Sequence, residues 1–295
     1  MTSLGHIPAL SVGADVSRFI ELENTLFTIT VAAYILGMAA YFVYYAGKSN
    51  RIHKIASLLI FVGFLFHSAA IIFRGIGAER VPLSNQYEFA TAFAWAVGLF
   101  LIIMEKKYDF SQLGVFVSPI LFLIIGYAAM QNKEVRPLMP ALKSGWLVIH
   151  VSFAVISYGA FAVACAISIM YLSKARNEAG LTEEASLQLG SELSGLDLMT
   201  YRIIMVGYLF LTLTIVTGAI WGQYAWGRFW AWDPKETWSL ITWIIYTVYL
   251  HMRRTHGLMG RKSARFAILG FLAVIFTFVG VNMLLPSLHS YVVQA

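Results

Sequence analysis

The chain holds one cysteine, Cys165. A lone cysteine excludes an internal disulfide and a CxxC redox pair. Set in an apolar run, Cys165 reads as a small packing residue. Charge is scarce too. Asp, Glu, Lys and Arg make up 12% of the residues while 59% are hydrophobic; a soluble domain is about a quarter charged. That balance argues against a soluble enzyme and places the chain among polytopic membrane proteins. The first 24 residues lack a basic stretch followed by an apolar core, and carry Asp15, Glu21 and Glu23. That composition argues against a cleaved signal peptide. No low-complexity tract and no internal repeat is evident.

What fills the chain is apolar sequence. Eight runs, near 25–46, 53–73, 88–104, 113–130, 147–172, 202–221, 234–252 and 266–285, have the length of a membrane-crossing helix. The expected fold is all-α: one membrane domain over residues 1–295, a bundle of about eight transmembrane helices. An even count leaves both termini on one side. One set of alternating loops, 46–54, 105–112, 173–201 and 253–265, carries 13 Lys and Arg with Arg202 included, against eight on the other set. Excess Lys and Arg marks the cytoplasmic face. The termini and the loops at 74–87, 131–146 and 221–238 should then face outward. The net charge of +6 is accounted for by topology, and no nucleic-acid partner is expected. The largest cytoplasmic excursion is 173–201, whose Leu181, Ala185, Leu189 and Leu193 fall at the spacing of a surface helix, most simply a solvated connector.

One stretch stands out, Trp221 to Trp238. Seven of its 18 residues are aromatic and five of the chain's eight tryptophans lie in it, Trp221, Trp226, Trp230, Trp232 and Trp238. It ends in Asp233-Pro234-Lys235-Glu236, a strong helix-start signal: Asp at the N-cap, Pro at the first helical position and Glu placed to close a capping box. Asn85-Gln86-Tyr87-Glu88 is a second such start.

Histidine placement adds chemistry. His150 falls one turn after Trp146 at the outer start of the fifth run, and His289 lies just past the outer end of the eighth. Two imidazoles flanking an aromatic patch suit a six-coordinate haem iron, with Gly222 and Gly227 allowing close approach to a porphyrin. An interfacial aromatic belt of Trp and Tyr accounts for the rings equally well. His251 lies near the cytoplasmic end of the seventh run and His67 in the outer half of the second. Intramembrane histidines are functional candidates, yet each is equally consistent with a hydrogen bond to a neighbouring helix. His6, His53 and His256 fall in termini, loops or a helix mouth.

Trp226-Gly227-Arg228-Phe229-Trp230-Ala231-Trp232-Asp233-Pro234-Lys235-Glu236-Thr237-Trp238, continuing to His251, resembles the WWD signature of the haem-handling protein superfamily. Pro82 to Glu88, Trp146 to His150 and Asn282 to His289 also resemble its pattern. The length, eight runs and flanking outer histidines resemble its system II cytochrome c biogenesis branch, the CcsA/ResC-like proteins. The resemblance covers nearly the whole chain.

It implies a haem lyase (a holocytochrome c synthase) that works with a ResB-like membrane subunit. Haem b would pass from the cytoplasmic to the outer side and become attached to the CxxCH segment of apocytochrome c. Thiol-reducing proteins are implied as further partners. His150 and His289 match the two outer axial ligands, and His251 matches the histidine that binds haem within the membrane. Asp233 is explained first as an N-cap, and Lys235 and Arg228 either meet propionates or mark an interface. A bacterial-type inner membrane or a thylakoid-type membrane is implied. The rival readings are a haem exporter or chaperone without ligation activity, a b-type electron-transfer cytochrome, and a transporter with a Trp-rich gate.

Overall fold

The structure is a computed structural model that describes residues 9–108, 110, 112–176 and 182–285. Among them every regular element is helical. A helix stands at each of the eight expected positions: α1 Ala9–Gly47, α2 Asn50–Ala78, α3 Gln86–Lys107, α4 Leu113–Ala129, α5 Gly145–Ala175, α6 Glu183–Trp226, α7 Pro234–His256 and α8 Gly260–Leu284. Six of these, all but α4 and α7, are long and apolar enough to cross a membrane. Helix α4 is apolar but has only 17 residues, about 26 Å at 1.5 Å per residue and so a little short of a ~30 Å hydrocarbon core. Helix α7 is long enough, but its Trp, Tyr, Thr and Arg side chains keep it polar.

Helix ends follow local chemistry. The Asn85 carboxamide accepts from Glu88 N at 2.8 Å, so α3 starts at the expected cap. Glu88 does not return the bond to Asn85. Its carboxylate takes the Ser84 N–H at 2.8 Å, Arg80 at 2.7 and 2.9 Å, and Arg74 Nε at 3.1 Å. Glu23 lies 3.8 Å from the same Arg74 and accepts the Tyr87 hydroxyl. Buried ions survive only in such paired company. This cluster clamps α1, α2 and α3 together, and the Arg74 bond to the Lys133 carbonyl, at 2.7 Å, adds the loop after α4.

The 173–201 segment differs from the expected separate surface helix. From Glu183 onward it is the first part of α6, one helix of 44 residues, about 66 Å long and twice the depth of a hydrocarbon core. Continuity arises because the Leu/Ala stripe carries straight into the apolar run with no proline between. The overhang is also bound rather than merely solvated. Leu193 and Leu196 are buried, Glu192 pairs with Lys174 at 2.7 Å, and Asp197 pairs with Arg253 at 2.7 Å and accepts the Gly260 N–H at 3.2 Å. These bonds fix the far end of α7 against α6.

Helix α5 is the centre of the bundle. Its Gly159-to-Ala166 run is almost entirely small residues, apart from Phe161 and Val163, and is wholly buried. Without water to drive apolar surfaces together, transmembrane helices associate where small residues let backbones approach. The Phe161 ring stacks on Tyr246 of α7 at 3.8 Å, and a side chain at Gly207 of α6 would meet Phe161 at 2.7 Å. Cys165 is buried in this core, as a packing residue would be.

Candidate functional site

Helix α5 is capped by Ser144, whose hydroxyl accepts the Trp146 N–H at 3.2 Å. His150 follows on the face turned to α6. Its Nδ1 lies 2.8 Å from the Thr214 carbonyl. A carbonyl only accepts, so Nδ1 carries the proton and Nε2 is the basic nitrogen. Holding Nδ1–H on a carbonyl is the usual way a protein orients an imidazole that ligates metal through Nε2. The ring stacks on Trp221 with centroids 5.9 Å apart and planes 20° from parallel. Under it lies Gly218, where a Cβ would stand 2.7 Å from Cε1 and 2.8 Å from Nδ1. Gly218 is a site residue that sequence reasoning missed. Its only signal is a glycine in the last turns of an apolar helix, shared with many packing glycines.

The tryptophans divide into two groups. Trp221 is buried, and its indole N–H bonds the Ala141 carbonyl at 3.0 Å, tying the loop before α5 to α6. Trp226 packs edge-on against it at 4.7 Å. This pair is a wall behind His150. The second group, Trp230 and Trp232, lies past the end of α6, with Trp230 half-buried and Trp232 exposed. Trp232 is 69% exposed, with Phe229 and Tyr224 also exposed beside it in the chain. Trp230 meets Trp232 edge-on at 5.7 Å, and the Trp230 indole N–H is buried with no hydrogen-bond partner among the described residues. Trp232 has φ +56°, a left-handed conformation rare for bulky side chains and associated with functional sites. An exposed tryptophan held in this way leaves a flat apolar ring face open.

Two glycines act differently from expectation. A Cβ on Gly222 would come within 3.2 Å of the Arg228 carbonyl, so its role is to let the loop fold back over α6. Gly227, at φ +74°, caps α6, the usual place for a left-handed glycine.

The loop ends as its sequence indicates. Asp233 caps α7, accepting the Lys235 N–H at 3.1 Å, and Glu236 accepts from Asp233 N at 3.1 Å and Ala231 N at 2.7 Å, which completes a capping box. One turn on, Trp238 packs on Phe276 at 4.1 Å. Phe276 opens a π-helical turn, Phe276–Gly280, in α8. The extra residue of such a turn rotates the flanking side chains, here setting Phe276 on Trp238 while Phe278 joins Phe89, Phe93 and Tyr127. No sequence signal marked this turn.

The remaining histidines lie elsewhere. His251 is 17 residues after Pro234 on α7, about 26 Å along the helix. It is exposed, on one stripe with exposed Ile244 and Val248, and its ring centroid is 6.2 Å from that of His256. His67 is fully buried, 3.1 Å from the Tyr34 hydroxyl, on a helix that packs mainly against α1 and α3. His289 lies outside the described residues, so its place beside His150 rests on sequence. Among the described residues no three His, Cys, Asp or Glu side chains cluster to hold a metal ion.

A polytopic helical membrane protein, with a carbonyl-tethered histidine backed by the tryptophans that end α6, is the class that fold and site define. The family profile for cytochrome C assembly protein matches residues 83–289, and the chain belongs to that family. It is 34% identical over 287 residues to the cytochrome c biogenesis protein CcsA of Synechococcus sp. (strain CC9902), a match covering 88% of this chain and 94% of that protein. It is likewise 34% identical over 300 residues to the CcsA of Mesostigma viride, covering 93% and 98%. Among solved structures, the cytochrome c haem lyase CcmF superposes with a TM-score of 0.71 at 17% identity. That match covers 97% of this chain and 49% of the CcmF chain, and at this identity it speaks to the fold.

Proposed function

We propose that this protein binds haem b as substrate at its tryptophan-rich end and takes part in attaching it covalently to apocytochrome c. The observation that carries the reading is the His150 arrangement: Nδ1–H on the Thr214 carbonyl, Trp221 behind the ring, Gly218 beneath it, next to a loop with an unpartnered Trp230 indole and an exposed, strained Trp232. A porphyrin suits such a place, since it offers a flat apolar face, an iron for Nε2 and propionate oxygens for an indole donor. The names of the CcsA relatives, which place them in cytochrome c biogenesis, support the same reading.

In this reading His150 and His289 hold the iron from two sides. The iron's chemistry while bound there is the shielding of a reactive centre. The chain's residues do the rest. Thr214 fixes the imidazole tautomer, Trp221 and Gly218 fix its plane, and the aromatic loop orients the porphyrin so that one edge stays accessible to the CxxCH thiols. Proximity and orientation of this kind lower a barrier by about 7–11 kcal/mol when geometry is ideal, without a nucleophile from this chain.

His251, on its exposed stripe, is the inner haem ligand, and a ResB-like membrane subunit docking on that stripe supplies the opposite ligand. Haem then travels outward along α7. Both termini and the 221–238 loop face the extracytoplasmic side of a bacterial-type or thylakoid-type membrane, and thiol-reducing proteins keep the apocytochrome cysteines reduced.

The test is spectral and covalent. The chain is purified with its partner subunit, and haem absorption is recorded for wild type, His150→Ala, His289→Ala and His251→Ala. Apocytochrome c is then added and covalent haem measured. Loss of the outer haem in the first two variants, and of the inner haem in the third, is expected. Normal maturation by the His150→Ala/His289→Ala double variant without added imidazole would refute the ligand assignment.

A further inference from the structure

A second site lies away from the tryptophan loop, between the N-terminal end of α2 and the C-terminal end of α3. A cavity of about 510 Å³ opens there, within the usual size of a small-molecule site of roughly 300–1,000 Å³. Its apolar lining is formed by Leu58 and Phe61 of α2 and Ile102 of α3. Leu58 is 59% exposed, and Leu65 and Ile72, one and two heptads further along α2, are exposed as well. The groove therefore runs out onto an apolar surface of α2 that faces lipid.

At its mouth stand Lys54 and Lys106. Among the described residues neither lysine forms an ion pair, and Lys106 Nζ arches over the Phe61 ring at 5.5 Å. Both lie at helix ends, the depth of lipid headgroups. The one carboxylate in the wall, Glu105, is satisfied from within: it accepts Tyr41 at 2.7 Å and Ser57 at 3.0 Å, and His53 lies 3.7 Å away. Its charge is thus held by the bundle, and the two ammonium groups are left to face the opening.

We infer that this groove is a binding site for an anionic glycerophospholipid, with its phosphate between Lys54 and Lys106 and an acyl chain along Leu58, Phe61 and Ile102. Basic pockets between transmembrane helices at headgroup depth recognise lipid phosphates through these terms. The inference is independent of the haem reading. Lipid bound here fills the gap between α2 and α3 and so braces the α1–α3 corner.

The experiment places the full protein in nanodiscs of phosphatidylcholine containing a minor fraction of phosphatidylglycerol. Lipid retained after extraction is counted by native mass spectrometry. Wild type is expected to keep one phosphatidylglycerol in preference to phosphatidylcholine. Lys54→Gln/Lys106→Gln is expected to lose about 30-fold of that preference, from two lysines near a membrane surface. Leu58→Trp, which fills the groove without touching charge, should lower total retention, and Lys48→Gln, outside the groove, should change nothing. Equal retention by wild type and the double lysine variant would overturn the inference. So would displacement of the lipid by free haem that perturbs the porphyrin spectrum in wild type and not in the variant, since that outcome assigns the groove to a porphyrin.

Discussion

Replacing Gly218 by alanine tests the link between packing and the proposed chemistry most directly. The added methyl would sit 2.7 Å from His150 Cε1 and 2.8 Å from Nδ1, where carbon atoms prefer a separation of about 3.5 Å or more. Backbone on a packed helix moves little, so the imidazole must retreat by about 0.8 Å. Its bond to the Thr214 carbonyl is 2.8 Å long. Retreat by that much carries it to about 3.6 Å, beyond a hydrogen bond. Losing that bond costs about 0.5–1.5 kcal/mol, and overpacking adds about 1–3 kcal/mol, so the variant loses roughly 1.5–4.5 kcal/mol in all. More telling is the ligand. An imidazole released from its carbonyl samples both tautomers and several planes, and loss of the hydrogen bond that orients a ligating imidazole weakens metal binding about 10–100-fold. The assay is haem titration of the purified complex, with midpoint temperature measured on the same sample. Gly218→Ala with unchanged haem affinity and spectrum would refute the idea that this contact positions a ligand. Reduced stability with unchanged haem binding would assign Gly218 to packing alone.

Other predictions follow from named contacts. Glu88→Ala leaves the Arg74 and Arg80 guanidinium groups buried without their shared carboxylate, and should cost about 3–5 kcal/mol, read as a drop in the unfolding midpoint in detergent. Asp233→Ala removes the cap of α7 and should cost about 0.5–2 kcal/mol; limited proteolysis between 227 and 236 reports the fraying. Trp232→Gly relieves the left-handed conformation and removes an exposed ring, so thermal stability should hold or rise while haem occupancy falls; a fall in both would show the indole to be structural. Arg253→Ala breaks the pair with Asp197, loosens the end of α7 next to His251, and should weaken the inner haem signal while sparing the outer one.

Much of this molecule is legible in its sequence. Apolar runs of crossing length, and little charge between them, leave helices as the structural option in a membrane, because backbone polar groups in hydrocarbon must be satisfied within the segment. Asn85 and Asp233 mark helix starts through a bond spanning three residues at most, so local sequence suffices. The aromatic loop is equally visible as composition. That Trp221 is buried, Trp226 and Trp230 are half-buried and Trp232 is exposed is not, because it depends on which helix each ring meets.

The same division runs through the polar groups. Glu88 has the spacing of a capping-box residue, but Arg74 and Arg80 lie close enough to claim it, and a charge-assisted bond outweighs a neutral one. The overhang of α6 follows from Asp197 finding Arg253 and Glu192 finding Lys174, partners distant in sequence. Gly218 carries no mark of its purpose until α5 brings His150 over it, and the π-helical turn of α8 lies where Phe276 meets Trp238 and Phe278 meets the Phe89–Phe93 cluster, partners distant in sequence. Sequence by itself determined the membrane class, the helices, their starts and the aromatic composition of the 221–238 stretch, all properties of short windows. Tertiary structure decided which imidazole is oriented, which ring is exposed and which charge is paired, because each of those is a contact between helices and has no length scale along the chain.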